Sequence, residues 1–500
     1  MFLFARSDFV SLAGKGRTAP LVWVQELKGE TPLSVLRSIS AKIQPPYCLL
    51  ESAGGNSPLA RYSFLACEPL LAFRSKNGRN LVSPPGLNTR LVTCPNPFQA
   101  LKELLLKYGP LRKPPLQLPF WGGAIGFLSY DAGRYLEELP RLARDDLAMP
   151  DMAFFFPRLV LAFDHQNSLL YIIVNEMVED NPHSSYLIAC SKIRETIDLL
   201  RMETEEHDAI PFRAVEVSSN LGQDEFEAMV RRTLEYIYAG DVYQVNLSQR
   251  LQVPFAQDSL LLYQRLRDIN PSPFAAYLDL GDFQLVSSSP ERLIMLRGRE
   301  GSTRPIAGTR PRGTDEGEEK WLCEHLLVDE KERAEHIMLV DLERNDLGRV
   351  CSYGSVRVSE LMVLERYSHV IHIVSNVKGE LCEGKDQFDL IQAMFPGGTI
   401  TGCPKVRCME IIEELEPVRR GPYTGSIGYF GFQGEMDMNI IIRTILLKDG
   451  IAYTQVGAGI VADSQPGREY FETLHKAEAM LRALNATSYP LFSETKRVFL

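Results

Sequence analysis

Residues 452–484 read AYTQVGAGIVADSQPGREYFETLHKAEAMLRAL: a strand-like apolar run at 452–456, then Gly457-Ala458-Gly459, then apolar residues at helical spacing over 467–484. Both kinds of regular structure lie side by side in this stretch, and the surrounding sequence repeats the mixture. Upstream, 223–239 places Phe226, Val230, Leu234 and Ile237 on one helical face and is closed by Gly240. Residues 318–340 are also helical by pattern. Strand-like runs lie at 274–280, 283–287, 369–377, 427–432 and 440–447. The first half alternates short apolar runs (48–51, 62–66, 124–130, 159–163, 169–174) with Pro and Gly, which predicts sheet with few helices. A polar, charge-rich stretch over 201–220 separates the halves. No fixed repeat is present, and an α+β architecture follows.

The 500 residues are 45% apolar and 24% charged, an ordinary globular composition. At roughly 150 residues per domain the length allows about three domains, or fewer if one large sheet absorbs it. Lys plus Arg total 54 against 64 Asp plus Glu, a net charge of −10. That balance repels phosphate backbones and anionic membranes, so neither nucleic acid nor membrane is an expected partner. An anionic small substrate would need a local basic pocket or a metal. The nine cysteines form no C-x-x-C pair, which suits free thiols in a reducing compartment, the cytoplasm. No signal peptide and no apolar run of about 18 residues is found.

The glycine segments at 122–123, 308–309, 397–402 and 457–459 fit neither a Walker A loop nor a dinucleotide-binding turn. In Gly402-Cys403-Pro404-Lys405, proline stands where a helix begins, so free N–H groups and Lys405 could hold a carboxylate. Glu469 and Glu472 lie i, i+3 on the last helix with Lys476 one turn beyond, and Glu335 sits on another helix. Converging acids suggest Mg2+, for which Glu335 and Glu472 would suffice; equally, the last-helix acids could complement the helix N-terminus and pair with Lys476. Arg443 follows Ile440-Ile441-Ile442 and could grip a carboxylate or pair internally with Asp437. His372 could be a general base or a structural histidine.

In order, LLES (49–52), RYSF (61–64), GDVYQVNLS (240–248), SSPER (288–292), PIAGTRPRG (305–313), EH (335–336), DLERNDL (341–347) and GCPKVR (402–407) resemble the chorismate-utilising enzymes. The likeness is to the large subunits of anthranilate synthase and aminodeoxychorismate synthase, and it covers nearly the whole chain. It implies a four-layer α+β unit, two facing antiparallel β-sheets with helices outside and both halves interleaved. Along the chain it implies an N-terminal region at 1–205, a linker at 206–220, a chorismate-binding catalytic region at 221–487 and a tail at 488–500.

By the same resemblance, Glu335 and Glu472 hold Mg2+, and Tyr423 and Arg443 contact a substrate carboxylate. Gly308, Thr309, Gly457, Ala458, Gly459 and Lys476 line the substrate. Glu291 is the general acid for the departing C4 hydroxyl, and His372 helps expel the enolpyruvyl group. Gln244, Thr309 and Lys405 complete the catalytic set. Isochorismate and salicylate synthases carry a water-activating lysine where this chain has Gln244, so ammonia is the expected nucleophile. Aminodeoxychorismate synthases commonly carry a lysine nucleophile in place of Ala307, which favours anthranilate formation here. ERYSHVIH (365–372) also looks anthranilate-type, whereas GGAIGFLSYD to EELP (122–140) and GTITG (398–402) look like the aminodeoxychorismate branch, the alternative. Cys403, where the family often has Ala, is a departure. A catalytically dead ligand binder is a third reading, opposed by the intact site residues. No glutaminase segment is present, so a separate amidotransferase subunit in a hetero-oligomer is implied. LLES (49–52) and NPSPFA (270–275) resemble the segments enclosing inhibitory L-tryptophan, with Ser52, Pro273, Phe274 and Ala275 as its contacts.

Overall fold

The computed structural model describes residues 1–52, 61–201, 215–366 and 370–488. Residues 202–205 of the expected N-terminal region, 206–214 of the expected linker, 367–369 of the ERYSHVIH segment and 489–500 of the tail lie outside them.

Two long antiparallel strands, Tyr62–Lys76 and Met152–Asp164, organise the molecule. Their ladder shifts register between Pro69 and Leu71, next to Glu68 at φ +54°. This bulge turns the ribbon and lets it serve two sheets. The run Met152–Asp164 is apolar and buried almost throughout, as expected of a strand covered on both faces.

On one side of the bulge, Met152–Asp164 pairs with Leu169–Met177, which pairs with Thr18–Glu26. There Tyr62–Lys76 pairs with Tyr47–Glu51, and the sheet continues through Phe274–Asp279, Phe283–Ser289, Thr444–Lys448, Ile451–Ile460 and Gln244–Pro254. On the other side, Met152–Asp164 pairs with Gly123–Leu128. That sheet runs on through Ser426–Gly431, Met436–Asn439, Arg292–Arg297, Glu300–Thr303 and Val370–Glu380, which is flanked by Ile306–Pro311 and Arg357–Arg366. In each sheet a block of first-half strands joins a block of second-half strands, at the pairing of Tyr47–Glu51 with Phe274–Asp279 in the first and of Gly123–Leu128 with Ser426–Gly431 in the second.

The inner faces pack on one another through Phe64, Ile125, Phe127, Ala276, Phe283 and Tyr429. Phe127 meets Phe283 edge-on at 5.7 Å, and Phe64 meets Tyr429 at 5.9 Å. Helices Pro32–Ser40, Pro182–Leu200, Ser259–Ile269 and Pro466–Ala483 cover the outer face of the first sheet. Helices Pro97–Tyr108, Glu330–Gly348 and Gln387–Met394 cover the second. The four layers are those the resemblance implies.

Local expectations differ in four places. Residues 318–340 form two helices, Glu316–Val328 and Glu330–Gly348, because Asp329 ends one and caps the other by accepting the Lys331 and Glu332 N–H groups. The run 440–447 is not one strand: Arg443 sits at φ +50°, between Met436–Asn439 and Thr444–Lys448. The first half holds more helix than predicted. The described end of the linker forms two short strands: Val215–Glu216 beside Ala486–Ser488, and Ser218–Ser219 on Gln244–Pro254. Among the described residues no helix is long and apolar enough to cross a membrane.

Candidate active site

Strands Gln244–Pro254 and Ile451–Ile460 pair with Asn246 opposite Gly459 and Ser248 opposite Gly457. Both glycines are needed for close approach. A Cβ on Gly457 would lie 2.5 Å from Asn246 Oδ1 and 2.7 Å from Tyr423 Oη, and one on Gly459 would lie 2.4 Å from Gln244 Nε2. Ala458, between them, buries its side chain in the core, so only its backbone faces the site. The chain then turns into helix Pro466–Ala483, whose Lys476 reaches back to the Gly457 carbonyl at 3.1 Å and pairs with Glu472 at 2.8 Å. Of the last-helix acids, Glu472 thus makes the expected pairing with Lys476, while Glu469 is hydrogen-bonded by Ser464.

Helix Glu330–Gly348 carries Glu335 to the same place, where Gln244 Nε2 donates to its Oε1 at 3.3 Å. Burial, together with the nearby Glu332 and Glu472 carboxylates, raises the Glu335 pKa, while Gln244 and Lys476 oppose the rise. Glu469, also buried, is raised first by burial and then by Glu472. Among the described residues no three metal-ligating side chains are already drawn together. Mg2+ does not need such a cage, since it binds through one or two carboxylates and keeps other oxygen ligands. Mutually repelling carboxylates of this kind fit that ion.

Glu291, Arg443 and His372 form the other end of the site. Glu291 follows strand Phe283–Ser289 and is 7% exposed. Burial pushes its pKa up to about 7, partly offset by Thr399, the Ile306 backbone N–H and Arg443. The Arg443 guanidinium has its pKa lowered by burial and makes no hydrogen bond or ion pair among the described residues. Its expected alternative partner, Asp437, instead takes Arg292 through two bonds of 2.9 and 3.0 Å. Glu291 is the nearby charge that opposes the lowering of the Arg443 pKa, but a largely enclosed guanidinium whose N–H groups take no hydrogen bond is costly, so this position is suited to an anionic ligand group.

His372 is buried, and burial followed by the Arg443 charge lowers its pKa to about 4. Its Nδ1 lies 3.3 Å from the carbonyl of Gly308, which holds φ +68° at a bulge in Ile306–Pro311. The imidazole is therefore neutral at pH 7 and able to accept a proton. Thr309 pairs with His372 across the ladder, but its side chain lies outside those described. Tyr423 is buried with its hydroxyl against Gly457.

Lys405 differs from the expectation that it faces a ligand. It begins helix Lys405–Leu415 and is held by Asp346, with a further bond of 3.2 Å to the Met394 carbonyl. Sequence reasoning missed Asp346, Glu343, Glu332 and Asn246. Asn246 could have been found, since it shares a strand face with Gln244 at i, i+2; Glu332 lies one turn before Glu335.

Ser52, Pro273, Phe274 and Ala275 line a separate cavity of about 410 Å3 together with Arg292 and Asp437. The Ser52 hydroxyl donates to the Tyr62 carbonyl at 3.2 Å.

The chorismate binding enzyme family model matches residues 45–482. Anthranilate synthase component 1 of Acetivibrio thermocellus is 43% identical over 465 residues, covering 91% of this chain and 93% of that protein. Aminodeoxychorismate synthase component 1 of Bacillus subtilis is 44% identical over 457 residues, covering 89% and 93%. The crystal structure of anthranilate synthase component I from Streptococcus pneumoniae superposes with a TM-score of 0.76 at 36% identity, over 85% of this chain and 93% of that one. Matched along nearly all of its length in sequence and in fold, the chain belongs to the chorismate binding enzyme family.

Proposed function

We propose that the chain is the large subunit of an anthranilate synthase, converting chorismate and ammonia to anthranilate, pyruvate and water. The observation that carries this reading is the pair Gln244 and Ala307 on the active-site strands. A neutral amide does not activate water, and a methyl group offers no nucleophile, so ammonia must attack C2 directly.

Arg443 and Tyr423 receive a substrate carboxylate. Glu335 and Glu472 would hold Mg2+, which supplies positive charge to the ring carboxylate when bound. Glu291, with a pKa of about 7, gives its proton to the C4 hydroxyl, which leaves as water while ammonia adds at C2. Neutral His372 assists departure of the enolpyruvyl group, and loss of the C2 proton makes the ring aromatic. The relatives are named as component 1, which supports a second, ammonia-supplying glutaminase component. Nine free cysteines agree with a reducing cytoplasm. The cavity at Ser52 is proposed to take L-tryptophan as a feedback inhibitor.

A second reading, aminodeoxychorismate synthase component I, is favoured by the 44% identity to the Bacillus subtilis protein. Incubation with chorismate, Mg2+ and an ammonium salt decides between them. Anthranilate with pyruvate is the expected outcome; 4-amino-4-deoxychorismate without pyruvate would establish the second reading.

A further inference from the structure

Residues 419–425, Arg-Arg-Gly-Pro-Tyr-Thr-Gly, carry Tyr423 to the site, and the chemistry above gives no task to the arginine three residues before it. Arg420 is 3% exposed, and each of its N–H groups is used. Nε donates to Glu416 Oε2 at 2.9 Å and Nη2 to Glu416 Oε1 at 2.7 Å, a two-pronged pair. Nη2 donates also to the Asn246 carbonyl at 2.6 Å, and Nη1 to the Ile400 carbonyl at 3.0 Å and to Thr424 Oγ1 at 3.3 Å. The guanidinium carbon lies 4.9 Å from the centre of the Tyr130 ring and 5.6 Å from that of Tyr423.

Glu416 is satisfied as well. Its Oε1 also accepts from the Ser248 N–H at 2.9 Å and the Ser248 hydroxyl at 2.8 Å, and Gln455 Nε2 donates to that hydroxyl at 2.8 Å. The pair therefore joins strand Gln244–Pro254 to the Gly398–Ile400 turn, whose Thr399 borders Glu291, and both to the segment carrying Tyr423. The far side of Tyr423 is fixed too: the Thr424 N–H donates to the Ile441 carbonyl, and the Ile441 N–H to the Gly425 carbonyl, each at 2.8 Å. Thr424 is held at φ +58°, where a β-branched residue persists only if its surroundings over-determine it. From the first half of the chain, Ser129 Oγ at 2.6 Å and the Tyr130 N–H at 2.8 Å both donate to the Gly421 carbonyl.

A buried ion pair is a poor device for stability, because desolvation offsets most of the attraction. What it supplies is geometry, since donors fixed in one plane meet these acceptors in a single arrangement. We propose that Arg420 is a positioning residue that acts through Tyr423, setting the place at which the tyrosine hydroxyl, close against Gly457, meets the substrate carboxylate. The inference rests on the reading of Tyr423 as a carboxylate contact. It follows that a cation alone is not enough: lysine restores the charge opposite Glu416 but lacks the planar fork and brings fewer donors.

The test follows chorismate consumption by the full chain with Mg2+ and ammonium. Because substrate loss is read rather than product, the assay does not depend on which amination product forms. Wild-type protein that consumes no chorismate would refute the reading of the site, and the proposal with it. In Arg420→Lys, KM for chorismate is expected to rise about tenfold with kcat kept within about twofold, because a carboxylate contact is lost from substrate and transition state alike. In the Tyr423→Phe background the same substitution should raise KM by less than about threefold, since the hydroxyl that Arg420 positions is already gone. Thr424→Ala removes one acceptor of the guanidinium and relieves the β-branched strain, so it carries the test if the lysine variant does not fold; a rise in KM of about threefold is expected. A merely structural pair would lower the folded fraction and leave KM alone. An unchanged KM in either folded variant, a loss confined to kcat, or a full tenfold rise on top of Tyr423→Phe would overturn the proposal.

Discussion

Two glycines on one strand predict opposite balances of damage. In Gly457→Ala the new methyl group would lie 2.5 Å from Asn246 Oδ1, 2.7 Å from the Leu247 carbonyl oxygen and 2.7 Å from Tyr423 Oη. The carbonyl belongs to the partner strand of the ladder and cannot swing aside, so the strands themselves must part. Overpacking of this kind costs about 1 to 3 kcal/mol. Stiffening of the unfolded chain returns about 0.4 to 1 kcal/mol, which leaves a net loss between about 0 and 2.6 kcal/mol, centred near about 1.3 kcal/mol. In Gly459→Ala the closest atom is Gln244 Nε2 at 2.4 Å, with the next atoms of that side chain at 3.5 and 3.8 Å. That amide is the end of a flexible side chain, so its displacement costs little stability but removes the bond to Glu335.

Denaturant midpoints and chorismate turnover, measured on both variants, separate the two effects. Gly457→Ala should unfold at clearly lower denaturant and lose turnover, because Tyr423 and the carbonyl held by Lys476 both shift. Gly459→Ala should keep a near-wild-type midpoint while turnover falls. Equal midpoints, or a larger loss of stability in Gly459→Ala, would refute the reasoning.

Turnover should fall by about tenfold per pH unit above the Glu291 value of about 7, because only the protonated carboxyl can act as the acid; a rate that stays level to pH 9 would remove Glu291 from that role. Stability should also fall as pH rises from the ordinary carboxyl value of 4.5 toward about 8, since folded Glu291 and Glu343 retain protons that the unfolded chain releases; unfolding midpoints across that range check the sign. Glu335→Gln should abolish Mg2+-dependent turnover with the unfolding midpoint kept or raised, because Glu332 and Glu472 lose a repelling neighbour. Ser52→Phe should relieve inhibition by tryptophan while leaving uninhibited turnover unchanged, read by titrating tryptophan against chorismate consumption.

The helices at 223–239 and 467–484 were legible because each carries a strong apolar face, and the structure places them within a residue of those bounds. The break at Asp329 was not, because Val328-Asp329-Glu330 has neither glycine nor proline and looks like continuous polar helix. Three first-half helices did carry a start signal: Thr31-Pro32, Asn96-Pro97 and Asn181-Pro182 each cap a helix through the Thr or Asn side chain. Short apolar runs between prolines concealed them. In the site, Glu335 and Glu472 are far apart in sequence, so no spacing rule could join them and the family motifs carried the expectation. The capture of Lys405 by Asp346 depends on two helices packing at one depth, which neither local pattern records.

The register around Glu291 also bears on how the two cavities are related. Glu291 and Arg292 are consecutive, and in extended backbone consecutive side chains point to opposite sides. Glu291 faces the catalytic centre, while Arg292 lines the cavity at Ser52, bound to Asp437 and stacked over the Phe274 ring at 4.9 Å. The Glu291 carbonyl accepts from the Ile440 N–H at 3.0 Å, and Ser289 Oγ donates to the Ile440 carbonyl at 2.6 Å, so the segment has little freedom to yield on one side alone. An occupant of the cavity that displaced Arg292 would therefore displace the acid. Tight occupancy would not by itself inhibit; the occupant must bind the displaced arrangement better than the active one. Arg292 and Phe274 are the contacts at which that difference in affinity would arise.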